Sequence, residues 1–347
     1  MSADTRFPAS RAAGLAHLRD FLPRAGREYA SSRNYDHGPG EQTNVSGLSP
    51  YLRHRLLTEE EVITATLEQH SPQQAEKFIH EVFWRTYWKG WLELRPSAWH
   101  DYLSDLDSAL ADLEQDADLA RRHRDATSAR TGIDCFDAWV TELCDSGYLH
   151  NHSRMWFASI WIFTLGLPWP LGADFFMRQL LDGDPASNTL SWRWVAGLQT
   201  RGKHYLARAE NIRRYTANRF DPRDQLNETA SAPDAPAHPS AGDPPSIPPP
   251  DSAGDVVLLL TEDDLHPESL DLGESQVRAI AGMLCPEERS PQGVSRNVKT
   301  FVAHAMTDSL SRAAEHFRTD AAPTMVPEDA SSLIELLAAS GATTVLH

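Results

Sequence analysis

The sequence predicts a mainly α protein in three parts: a helical domain over residues 1–225, a disordered Pro/Ala/Ser-rich linker over 226–254, and a small acidic α/β module over 255–347. Three observations predict this. Up to about residue 225, apolar residues recur at helical intervals and strand-like alternation is missing. The stretch NETASAPDAPAHPSAGDPPSIPPPDSAG has almost nothing to bury and reads as an extended, mobile linker. After it, short β-rich runs flank helical ones, the pattern of an α/β module.

The helices announce their ends. In LSPYLRHRLLT, Ser49-Pro50 sets a capping residue before a proline at the first helical position. Thr58 and Glu61 in TEEEVITATLEQH have capping-box spacing. Ser71-Pro72 repeats the serine-proline start, and the pattern then runs to about Leu94. DCFDAWVTELCDSG closes on Gly147, HNHSRMWFASIWIFTLG on Gly166 and LGADFFMRQLLDG on Gly183. Beyond the linker, DVVLLL and ATTVLH read as strands, whereas ESQVRAIAGML and VKTFVAHAMTDSLSRAAEHF read as helices.

The net charge of −17 is unevenly spread: residues 1–225 carry 26 Lys+Arg against 30 Asp+Glu, and the rest carry 6 against 19. The acidity therefore belongs mostly to the tail and does not veto a nucleic-acid face on the helical part. Cys135, Cys144 and Cys285 form no CxxC pair and are too few for a four-thiolate cluster. His80, His150, His152 and His204 lack metal-ligand spacing, so no metal is expected. The N-terminus has no signal-like apolar core, and no apolar run reaches membrane-spanning length, so the chain is expected to be cytoplasmic.

The ten tryptophans are concentrated between Trp84 and Trp194, and polar groups are interleaved with them. Glu81, Trp84, Arg85 and Trp88 fall at i, i+3, i+4 and i+7, on one helical face. Asn151, Arg154, Met155 and Ala158 share another. In DGDPASNTLSWRW, Asp184, Asn188 and Trp192 form a third stripe. A stripe of acid, amide and indole suits a flat heteroaromatic with a polar edge better than it suits an oily core. Taken singly, each face has a plainer reading, such as a rim salt bridge or a capped helix. Together with Ser46 and Ser49 ahead of a helix start, where anions are favoured, they describe a dinucleotide flavin pocket.

These residues resemble the FAD-binding domain of the DNA photolyase/cryptochrome family. The resemblance runs from about Tyr29 to Pro222 through YASSR, SGLSPYL, HEVFWRTYW, TGIDCFDAWVTEL, GYLHNHSRM, LPW, DGDPASNTLSWRW and RFDP, in order and at similar spacing. Val45 stands where a threonine is usual, His152 where an arginine is, and Thr86 where a glutamate is. No counterpart of the family's N-terminal α/β antenna domain is recognised.

The resemblance implies an all-helical FAD domain. Tyr29, Ser46, Leu48 and Ser49 would hold the pyrophosphate. Arg154 and Asp182 would pair against the flavin, Asp184 would contact its ribose or ring edge, and Asn188 would face N5. Arg85 and Asn151 would line the same cavity. Trp192 and Trp169 match the inner and middle members of the family's electron relay. The outer member has no tryptophan counterpart, since residues 100–130 contain none; Tyr148, Trp156 or Trp161 would replace it, or the relay ends early. On the substrate side, Trp84 and Trp194 match aromatic walls for a flipped pyrimidine dimer in DNA, Met155 an apolar contact, and Glu81 the carboxyl that hydrogen-bonds the dimer. The implied activity is blue-light-driven repair of cyclobutane pyrimidine dimers. The alternative is a cryptochrome-like photoreceptor that reaches a protein partner through its acidic module.

Overall fold

A computed structural model describes residues 6–233, 237–244, 246, 254–326 and 330–346. Among the described residues, twelve α-helices precede the linker. They are α1 (Arg11–Phe21), α2 (Arg27–Ser32), α3 (Ser49–Arg53), α4 (Glu59–Gln69), α5 (Pro72–Glu93) and α6 (Ser97–Gln115). They continue as α7 (Ala117–Thr127), α8 (Asp134–Ser146), α9 (Asn151–Ser159), α10 (Trp169–Gln179), α11 (Pro185–Ala196) and α12 (Ala209–Tyr215).

The caps read from the sequence at α4 and α5 are formed, and the one read at Ser49 is not. Thr58 accepts from the Glu61 amide while Glu61 reaches back to the Thr58 amide, and Ser71 and Gln74 repeat the exchange at the start of α5. Each such cap satisfies two amides the helix would leave unpaired, worth about 1 kcal/mol. Gly147 ends α8 at φ 69°, a left-handed conformation that suits glycine. Residues 151–166 are not one uniform helix. After Ser159 the coil widens to a π turn over Ile160–Thr164, closed by the Leu165 amide on Ile160 O at 2.9 Å. The LGADFFMRQLLDG helix ends at Gln179, four residues before Gly183.

Past the linker come β1 (Asp255–Thr261), β2 (Gln276–Met283), α13 (Arg296–Phe317), β3 (Ala321–Met325), α14 (Ala330–Ser340) and β4 (Thr344–Leu346). The sheet is parallel throughout, in the order β3-β2-β1-β4. The expected helix in ESQVRAIAGML is therefore strand β2. Val277, Ile280, Ala281 and Leu284 meet helical spacing, but a strand buried on both faces is apolar at every position, which blurs its period. Here Ile280 faces the side of α13 and Ala279 and Ala281 the side of α14.

Two cores organise the molecule. One is aromatic and lies among α6 to α11, around Trp139, Trp156, Phe157 and Trp161. The other is shared: Tyr51, Leu56 and Leu57 of the helical domain pack in one cluster with Leu258, Ile280, Val298 and Met306 of the α/β module. Phe301 of α13 lies 5.6 Å from the His54 ring, and the Ser295 amide donates to Arg178 O at 2.9 Å. Burying one side chain such as Phe301 contributes about 2 kcal/mol, so the module is seated on the helices by apolar contact.

The described linker residues form no helix or strand, but they are tied to the helical domain. Asn227 bonds Thr164 and Phe163, the His238 ring meets Gln199 O at 2.9 Å, and the Gly242 amide donates to Leu94 O at 2.7 Å.

Candidate functional site

Helices α5, α9 and α11, with the turn before α3 and the segment between α10 and α11, enclose a cavity of about 610 Å³. That is within the size of a cofactor pocket. The three stripes seen in the sequence converge there. From α5 come Glu81, Trp84 and Arg85; from α9, Asn151, Arg154 and Met155; from α11, Asn188, Trp192 and Trp194. Asp182 lines the cavity ahead of α11, and Tyr29, Ser46, Leu48 and Ser49 line it as well.

Charge is concentrated on one wall. Arg154 holds Asp182 by two parallel hydrogen bonds of 3.1 and 2.9 Å, with its Nε donating to Leu149 O. Burial works against the Arg154 charge, but Asp182 more than offsets it and raises the arginine above its ordinary value. Asp184, one of the expected contacts, does not itself line the cavity. It lies behind the wall, 2% exposed, as the N-cap of α11. Its Oδ1 accepts from the Ser187 amide at 2.7 Å and its Oδ2 from Arg85 at 3.3 Å. Burial opposes its ionisation, yet Arg85, Arg53 and the Ser187 amide hold its carboxyl down at about 2. Asp184 therefore positions Arg85 rather than meeting a ligand directly.

Asn188 donates through Nδ2 to Ala173 O at 2.8 Å. That fixes the amide and leaves its Oδ1 without a partner among the described residues. Ser187, also on the wall, has a buried hydroxyl with no partner among the described residues. Near α3 the geometry differs from the expected serine cap: Leu48 precedes the helix, while Ser46 Oγ accepts from the Leu48 amide at 3.3 Å. Since α3 is only five residues long, its dipole is small, and an anion there would rely on individual N–H and hydroxyl groups.

At the mouth, Trp84 is 50% exposed and stacks on Trp88 at 5.6 Å, while Trp194 stacks on Tyr205 at 5.8 Å. Between them Asn151 donates to Glu81 at 3.3 Å, and Arg33 lies 3.8 Å from the same carboxylate. Burial pushes the Glu81 carboxyl up against the pull of Arg33 and Arg154.

Trp192 is buried and its ring covers Gly172, where an added Cβ would lie 2.3 Å from Cη2. Its nearest indole is Trp161, at 6.2 Å. Trp169 does not line the cavity: its ring lies 5.6 Å from Tyr102, which is 5.1 Å from Trp99, and under the Arg193 guanidinium. Sequence reasoning missed Arg53, a buried cation whose Nε donates to Gly183 O at 2.7 Å. It sits inside SPYLR beside the serines that drew attention, and its only sequence signal is a charge on a short apolar helix. Tyr148, Tyr87 and Ser187 were also unassigned as lining residues.

Comparison with known proteins bears on this geometry. Residues 78–228 match the family model described as the FAD binding domain of DNA photolyase. The chain is 32% identical over 182 residues to the deoxyribodipyrimidine photo-lyase of Streptomyces griseus, covering 49% of this chain and 38% of that protein. It is 33% identical over 192 residues to that of Thermus thermophilus, covering 54% and 42%. Among solved structures, the Synechocystis cryptochrome superposes with a TM-score of 0.50 at 25% identity, covering 61% of this chain and 44% of that one. The chain thus spans about two fifths of the length of these relatives. The matched region includes most of α5 and all of α9 and α11, the three helices that build the cavity. Residues 78–228, most of the helical part beyond α4, carry the FAD-binding domain of the DNA photolyase family.

Proposed function

We propose that the chain is a blue-light-driven, FAD-dependent lyase that splits cyclobutane pyrimidine dimers in DNA. The observation that carries the reading is one cavity with a buried ion pair and an anchored amide within it and paired aromatic walls at its open mouth. The residues fit the cofactor. Arg154–Asp182 presents a flat, charge-paired surface, and the free Oδ1 of Asn188 can accept from a ring N–H. Tyr29, Ser46, Leu48, Ser49, Arg85 and Asn151 would complete the hold. The chemistry FAD supplies when bound is light-driven transfer of a single electron to the dimer and its return.

The chain's own residues do the rest. Trp84 and Trp194 replace the stacking lost when the dimer leaves the duplex, a contribution of about 1–3 kcal/mol per base. Met155 adds an apolar contact. Glu81, its carboxyl raised by burial and steadied by Asn151, hydrogen-bonds the dimer. Trp192 and Trp169 would be electron donors to the cofactor. Because phosphate contacts supply much of the affinity for DNA, binding should weaken with salt. The test is dimer-containing DNA incubated with the FAD-loaded protein, reductant and blue light: loss of dimers supports the proposal, and unchanged dimers in DNA that the protein binds would overturn it.

A second reading, a photoreceptor acting through its linker and acidic module toward a protein partner, is favoured by one contact. His238 of the linker bonds Gln199 O, and Gln199 lines the cavity. If illumination leaves protease cleavage within residues 226–254 unchanged, this reading fails.

A further inference from the structure

Resting on the flavin-domain reading, we propose that the α/β module is a working part of the cavity: its Glu262–Asp263 corner positions Asp184 and Arg85 through Arg53. Arg53 ends α3 and is 3% exposed. It forms an ion pair with Asp263 and lies 3.9 Å from the Glu262 carboxylate and 4.0 Å from Asp184. Asp184 in turn accepts from Arg85, and Arg85 also donates to Arg53 O at 3.2 Å. One buried guanidinium thus meets the module on one side and the back of the cavity wall on the other. His54 lies at the same junction, with Nδ1 2.6 Å from Glu262 O and Nε2 3.2 Å from Leu181 O, and its buried neutral ring donates to one of the two. Glu262 is held in turn by Arg289 at 3.0 Å.

The coupling follows from charge balance around buried Arg53, Asp184 and Glu262, which Asp263, its side chain 64% exposed, joins from the solvent side. Arg53 and Arg85 share Asp184, and the module's two carboxylates carry part of the Arg53 charge. Removing one of them makes Asp184 the more needed partner of Arg53 and draws it away from Arg85. The α11 N-cap bond to Ser187 loosens with it, and Arg85 is held less firmly on the wall. Asp263, Glu262 and Arg53 touch no cavity space, so they are positioning residues.

The test uses the full chain with Asp263→Asn, Asp263→Glu and, as a control, Glu268→Gln, which removes the ion pair with Arg312 inside the module. Two quantities are read: the FAD dissociation constant by flavin fluorescence, and hydrogen exchange of the Ser187 amide in the cofactor-free protein. Asp263→Asn should weaken FAD binding about two- to fivefold, the size expected when the exposed partner of a charge pair is lost, and speed Ser187 exchange. Asp263→Glu should stay within about twofold of the parent, and Glu268→Gln should move neither readout. Unchanged binding and exchange in Asp263→Asn, or equal changes in Glu268→Gln, would overturn the proposal. Should the parent protein take up no FAD, the functional reading fails, while Ser187 exchange still decides the positioning role.

Discussion

Arg154 and Asp182 meet through two parallel hydrogen bonds on the cavity wall, with NH1 to Oδ1 at 3.1 Å and NH2 to Oδ2 at 2.9 Å. Asp182→Asn keeps the shape and removes the charge, leaving a largely buried guanidinium uncompensated. Stability should fall by about 3 kcal/mol, and bound FAD should fall with it. Urea unfolding and the ratio of flavin to protein absorbance measure both.

Asn188→Ala removes the anchored amide and its bond to Ala173 O, while the Arg154–Asp182 pair is untouched. FAD affinity should fall by no more than about fivefold, since one neutral hydrogen bond is worth about 1 kcal/mol or less. The flavin spectrum developed under illumination with reductant should change. An unaltered time course would mean that Asn188 does not face the reacting edge.

Trp84→Ala should separate substrate from cofactor. The side chain is half exposed at the cavity mouth, so the fold loses little. Affinity for dimer-containing DNA should drop by about 1–3 kcal/mol, with FAD content unchanged. Fluorescence anisotropy with lesion and lesion-free duplexes measures the difference.

Gly172→Ala probes the indole beside the cavity. The new methyl would sit 2.3 Å from Trp192 Cη2 and 2.9 Å from Trp161 Nε1, both in a dense aromatic core. Overpacking of this kind costs about 1–3 kcal/mol and forces Trp192 to move. A lower melting temperature with a shifted tryptophan emission is expected; a parent-like melting temperature would mean the core yields freely.

Glu142 offers a pH test. Burial first, then the nearby Asp36, push its carboxyl up from 4.5 to about 7, against Arg6, Arg219 and the amide of Gln42. Between those values the folded protein binds more protons than the unfolded chain. The contribution is therefore whole below about pH 4.5 and is lost as pH rises through about 7. Glu142→Gln should add about 3 kcal/mol near pH 8 and nothing near pH 4. Denaturant unfolding at the two pH values gives the sign.

How much was legible varies by element. The starts of α4 and α5 were, because a capping box is a contact between residues three apart. So were the three faces of the cavity, since helical periodicity places Glu81 with Arg85 and Asn151 with Arg154 whatever surrounds them. Strand β2 was not, because burial on both faces erases the alternation that marks a strand. Asp184 shared the Asn188 stripe, but as the N-cap residue its carboxylate turned to the Ser187 amide and Arg85, away from the cavity.

By itself the sequence determined that a run of helices would carry acid, amide and indole stripes able to surround a flavin. Those patterns depend on spacings of three, four and seven residues, which local geometry sets. Only the tertiary structure decided where the α/β module sits and that Arg53 joins it to the cavity wall. Arg53 meets Gly183 and Asp263, 130 and 210 residues away. A buried cation takes whichever carboxylates the packed elements bring to it, and no local spacing records that choice.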